Sequence, residues 1–147
     1  MADNELFRQV VKAMALGDGD RAQVLNREIS PDDRESFHTY VTAMFAGAAA
    51  HRFEHDQSRE AIDQFVNEMR HDYRKADPAF KPLVMEGLLR ALFGEEHLID
   101  EISPEDQLRT QFLAIRKIVD QSDHMRERLD DYLTDAQALA EHWSNED

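Results

Sequence analysis

The chain contains no cysteine. That excludes disulfides, thiolate metal sites and thiol nucleophiles, and with them the small secreted scaffolds that depend on disulfides. It also lacks any run of the ~18 consecutive apolar residues that a membrane span needs, and its opening, MADNELFRQ, has no basic-then-apolar order of a secretion signal. A cytoplasmic protein with no membrane contact is expected. Apolar and polar residues nowhere alternate long enough to mark a half-buried strand. Basic residues are few: 17 lysines and arginines stand against 31 aspartates and glutamates, a net charge of −14. Direct nucleic-acid binding is therefore not expected, because phosphate contacts need clustered cations. Such an acidic surface either serves solvation or meets a basic partner.

What the sequence does contain is helical periodicity along almost all of its 147 residues. This predicts an all-α fold: one compact domain over 1–147, a bundle of six to eight helices. The stretch Ala79–Phe93, AFKPLVMEGLLRALF, is apolar on nearly every side, with only Glu86 and Arg90 keeping a polar stripe. A helix of that kind is stable only when other elements cover it. It is thus predicted to be the central helix, regular from about Pro82 and ending at Gly94.

The remaining helices follow from their caps and stripes. The first runs from Asp3 as N-cap to Leu16, with Leu6, Phe7, Val10, Val11 and Met14 inward, and Gly17-Asp18-Gly19-Asp20 ends it. A short helix with Val24, Leu25 and Ile29 inward precedes Ser30-Pro31-Asp32-Asp33, which reads as cap, first-turn proline and dipole-matched acids. The third helix then carries Phe37, Tyr40, Val41, Met44, Phe45 and Ala48 to about Phe53, and the small residues around Gly47 predict a close helix crossing. Asp56 or Ser58 caps a fourth helix through Ile62, Phe65, Val66, Met69 and Tyr73. Beyond a short helix at 95–101, Ser103-Pro104 opens another with Leu108, Phe112, Ile115, Ile118 and Val119 inward. Ser122 or Asp123 caps the last, which reaches Trp143 before a frayed Ser-Asn-Glu-Asp tail.

The two Ser-Pro signals, Glu28-Ile29-Ser30-Pro31 and Glu101-Ile102-Ser103-Pro104, lie 73 residues apart, and His51 falls on His124 and Glu54 on Glu127 at the same offset. A duplication into halves 1–73 and 74–147 would place the first helix and the Ala79–Phe93 helix in equivalent positions. The stripes after the two caps nevertheless fall out of register, since Tyr40 and Met44 meet Leu113 and Lys117. Two independent solutions to one capping problem are the favoured account of the likeness.

No catalytic residue and no cofactor is assigned from the sequence. The best local constellation is His51, Glu54 and His55 at the end of the third helix, where histidines four apart share a face and offer a weak ligand or metal site, with His124, Glu127 or Glu95-Glu96-His97 as distant partners. On a 100° wheel set at Phe37, His51 lies at about 320° and His55 at about 0°, on the buried stripe. Glu68 and His71 have Glu-x-x-His spacing, but both fall on the polar side of their helix and are expected to be solvated. The last helix carries Glu127, Asp130, Asp131, Asp135 and Glu141, the clearest charged surface, with Trp143 as an anchor to the core or a partner-binding residue.

By elimination, the expected function is non-catalytic: a helical regulatory or adaptor protein acting through another protein or through a second copy of itself. The alternatives are a helical enzyme or small-ligand or metal-binding protein using His51, Glu54 and His55, and an acidic phosphate-backbone mimic that inhibits a nucleic-acid-binding protein.

Overall fold

The computed structural model describes residues 3–145. Among them are eight α-helices, two 3-10 segments and no strand: α1 (Asn4–Ala15), α2 (Gly19–Arg27), α3 (Arg34–Arg52), α4 (Arg59–Asp72), α5 (Pro82–Leu92), α6 (Pro104–Gln121), α7 (Asp123–Glu127) and α8 (Leu129–Asn145), with 3-10 turns at Pro31–Asp33 and Glu96–Glu101. The fold is all-α, as expected from the periodicity. No described helix is long and apolar enough to cross a membrane.

The centre of the bundle is α3, not the Ala79–Phe93 stretch. α3 makes the most extensive contacts, with α8 and α6. Its buried residues Phe37, Tyr40, Val41, Ala43, Met44, Phe45, Ala48 and Ala49 spread over more of its circumference than a single neighbour can cover. α6 runs parallel to α3, as the ascending pairs His38 with Gln107 (3.2 Å), Thr42 with Gln111 (3.2 Å) and His51 with Ser122 (3.0 Å) require. α8 runs back along the other flank, where the Tyr40 hydroxyl donates to the Leu133 carbonyl at 3.1 Å. Burial raises the Tyr40 pKa to about 12.

α5 is peripheral. It buries Met85, Leu88, Leu89 and Ala91 but leaves Leu83 80% and Leu92 37% exposed. Apolar residues on every side of a helix do not by themselves put it at the centre. α5 spans only 11 residues and its neighbours are α4, α6 and the second 3-10 segment, so its outer side faces water. Rings tie the periphery to the centre: Phe53 at the α3 C-cap meets Phe65 of α4 and Phe93 beyond α5, both at 5.5 Å, while Phe7 of α1 meets Phe37 at 5.4 Å.

Several caps form as predicted. Asp3, Ser58 and Ser103 accept from the amides of Leu6, Ala61 and Asp106, so Ser58 rather than Asp56 is the α4 cap. Gly17 and Gly94 have φ of +81° and +126°, the left-handed conformation of a helix-ending glycine. In both cases the next amide closes back on the helix, Asp18 to Ala13 and Glu95 to Arg90. Other expectations need correction. Val24 is 58% exposed, because α2 buries only Ala22 among its own residues. The predicted last helix breaks at Arg128 into α7 and α8, and α8 includes Ser144 and Asn145 of the supposed frayed tail, whereas Glu146 and Asp147 lie outside the described residues. At Gly47 the approach of α8 is loose, since an added Cβ would meet only the Tyr132 ring, at 4.0 Å.

The Ser-Pro twins diverge as well. Ser30 forms no side-chain cap, and Pro31–Asp33 adopts a 3-10 turn before α3, whereas after Ser103 the α-helix begins at once. The two long helices therefore start 70 residues apart, at Arg34 and Pro104, rather than 73. At that shift Tyr40, Val41, Met44, Phe45, Ala48 and Ala49 fall on Thr110, Gln111, Ala114, Ile115, Ile118 and Val119, all buried. The helix-ending glycines are 77 apart, and the 73-residue partner of buried Val10 is exposed Leu83. A duplication would thus require length changes on both sides of the Ser-Pro signal.

The difference between the twin serines is directly testable by urea denaturation. Ser103→Ala should cost about 1 kcal/mol through the lost cap, and Ser30→Ala less than about 0.5 kcal/mol.

Candidate functional site

The histidine constellation is rearranged by the end of α3. The helix stops at Arg52 because Phe53 turns into the core, and its amide closes on Ala49. His51, in the last turn, is half-buried; its Nε2 meets Ser122 Oγ at 3.0 Å, and its ring stacks on His124 at 5.1 Å with 16° between planes. Tyr132 stands edge-on to both rings, at 6.2 and 6.0 Å. Burial, then the Glu54 carboxylate, raises the Tyr132 phenol above its ordinary range. His55 lies past the helix, so the four-residue spacing loses its meaning: its side chain is 92% exposed and its Nε2 sits 3.3 Å from Glu54 Oε1. The structure thus joins His51 to His124 and separates it from His55. Among the described residues, no three His, Asp or Glu side chains converge on a point that would hold a metal ion. Ser122 Oγ is also engaged by the Met125 amide at 3.1 Å, so the serine–histidine contact pins the start of α7 to the end of α3.

The acids of the last helix are all exposed, and they differ in whether they pair with α1. Asp130 faces α1, with Lys12 Nζ at 3.0 Å and Arg8 at 3.4 Å; Arg8 also donates to the Asp130 carbonyl and to Thr134. The hydrogen bond from Lys12 is the largest of the influences that hold the Asp130 carboxyl below its ordinary range. Trp143 is half-buried against the core. Glu127, Asp131, Asp135 and Glu141 remain exposed, and Glu141 accepts a hydrogen bond from Gln137 within α8.

Two features had no clear signal in the sequence. One is a broad polar cleft where the ends of α1, α4 and α6 meet, in two adjoining cavities of about 790 and 590 Å³. Lys117, only 5% exposed, projects from the apolar stripe of α6 to Asp72, which it contacts closely, and to Glu68 at 3.6 Å. Glu68 is therefore half-buried rather than solvated, and Arg52 also pairs with it at 3.5 Å; His71 is exposed as expected. Arg74 donates to the His71 carbonyl and Arg126 to the Val119 carbonyl, so two of the cleft's arginines offset the negative ends of helices. The buried cation of the cleft is thus already neutralised by two of its carboxylates.

The other is a groove of about 250 Å³ between α5 and the Glu96–Glu101 turn. Leu83, Val84, Leu98 and Ile102 line it, and Glu86, Arg90 and Glu101 rim it. Gly87 lets the turn come close, for an added Cβ would stand 3.2 Å from Ile102 Cδ1. Glu86 pairs with Arg59 at 3.1 Å, and Arg90 binds Glu95 through two 2.7 Å hydrogen bonds that lower the Glu95 pKa.

No protein-family model matches the chain, no curated protein is found to be similar to it, and no solved structure matches its fold.

Two predictions follow the charges. Because the Asp130 pKa is depressed in the folded state, its pairing stabilises above about pH 4 and is lost as pH falls through the folded value. Thermal melts should show Asp130→Asn less stable than the parent at pH 6, with the gap closing toward pH 2. Removing both counter-charges of Lys117, by Glu68→Gln with Asp72→Asn, should cost about 3 kcal/mol in urea, whereas Lys117→Met, which keeps the buried stem, should cost under about 1 kcal/mol.

Proposed function

We propose that the protein is a non-catalytic helical adaptor or regulator that acts by docking another protein, and that α5 carries the contact. One observation supports this above others: Leu83 is 80% exposed on a helix whose opposite face is core, and it adjoins Val84, Leu98 and Ile102 in one groove. A single exposed leucine needs no explanation, but an apolar strip with a charged rim has the composition of an interface. Covering Leu83 would recover about 1.5–3 kcal/mol of burial that folding alone leaves unrealised.

The test compares the parent protein with Leu83→Asp. Both are immobilised at equal density, exposed to extract of the source cells, and their captured proteins identified by mass spectrometry. The variant is expected to melt within about 2 °C of the parent, since Leu83 contributes little to the core, and to lose proteins that the parent retains. Identical capture by the two, or no capture by either, would overturn the reading.

A further inference from the structure

We infer that the α5 groove receives a cationic amphipathic helix of another protein, with leucine-like side chains against Leu83, Val84 and Ile102 and lysine or arginine over the Glu96–Glu101 turn. This rests on the reading of α5 as the docking face and names the chemistry of its occupant. The charge around the groove decides the sign. Glu86 and Glu95 are neutralised by Arg59 and Arg90, whereas Glu96, Asp100 and Glu101 have no ion-pair partner among the described residues. Glu101 lines the groove, Glu96 and Asp100 lie on the same six-residue turn, and an unpaired carboxylate beside an apolar strip favours a partner that brings apolar and positive groups on the same face.

A second copy is a poor occupant. An isologous contact would set this acidic rim against itself, and each chain carries a net charge of −14. The form of the partner follows from the backbone. An extended peptide usually adds to a sheet edge, and the described residues contain no strand. A helix lying along α5 instead meets a ridge at i, i+4 and i+7, Leu83, Gly87 and Arg90, in which the missing side chain of Gly87 lowers the middle.

The probe is a leucine–lysine amphipathic peptide of about 15 residues, titrated into the ¹⁵N-labelled full chain at about 0.1 M salt, beside a scrambled peptide of the same composition and a leucine–glutamate version. The leucine–lysine peptide should shift the amides of Leu83, Gly87, Leu98 and Ile102 saturably and bind about tenfold more tightly than the scrambled one. Leu83→Asp should weaken it about tenfold, and Glu101→Lys about threefold. Equal affinity for the scrambled peptide, or shifts centred on the acids of α8, would overturn the inference as charge attraction without a site. No shift at Leu83 with any peptide would also overturn it, even if capture from extract still depended on Leu83, in which case α5 docks a partner of other chemistry. A dimer in sedimentation that Leu83→Asp dissolves would replace the cationic helix with a second copy.

Discussion

The fold depends on covering α3. Its buried side chains wrap around so much of the helix that one neighbour would leave part of them in water, and α6 and α8 take opposite flanks to close it. Burying Phe37, Tyr40, Val41, Met44 and Phe45 contributes about 1.5–3 kcal/mol each, as an upper bound. The small residues Ala43, Ala48 and Ala49 set how closely the flanking helices come. α1 then lies across α6 and α8, and α4 with α5 is joined to the end of α3 through Phe53.

Apolar burial alone leaves helices free to slide, and polar contacts remove that freedom. Along the α3–α6 seam the pairs at Gln107, Gln111 and Ser122 can form only in one register. Gln111 is buried on α6 against Thr42 of α3, and Lys117 against Asp72 of α4, each at a point where a misplaced neighbour would leave a polar atom in an apolar setting. Tyr40 and Tyr73 act similarly, donating to the mid-helix carbonyls of Leu133 and Leu113. No buried side-chain polar atom lacks a partner among the described residues, as a specified packing requires.

Charge is divided between this internal work and the surface. Lys117 is occupied inside the bundle, and Arg8, Lys12, Arg52 and Arg126 at its surface, on carboxylates or helix ends. With so many of the few cations engaged, the outer faces of α8 and of the Glu96–Glu101 turn stay acidic. The exposed leucine of α5 stands beside the second of these, which gives that groove its proposed partner.

Local physics made much of this legible in advance. Helix type, the caps at Asp3, Ser58 and Ser103, the glycine stops and the α3 stripe each depend on residues within a few positions of one another, so the sequence by itself determined them. The candidate site was far less legible. His51 and His55 share a wheel position only while the helix continues, and the helix ends where its stripe does, at Arg52 with Phe53 buried against α4 and the end of α5, so His55 lies beyond it. The pairing of His51 with His124, of Asp130 with Lys12 and of Lys117 with Asp72 joins residues that are distant in sequence, and nothing local specifies such a meeting. Which apolar helix becomes the centre is likewise a tertiary matter: α5 is apolar on more sides, but α3 is longer and can be covered along its whole length by two helices at once. Burial belongs to the arrangement of all the helices, and a single helix's composition states only how much of it there is to bury.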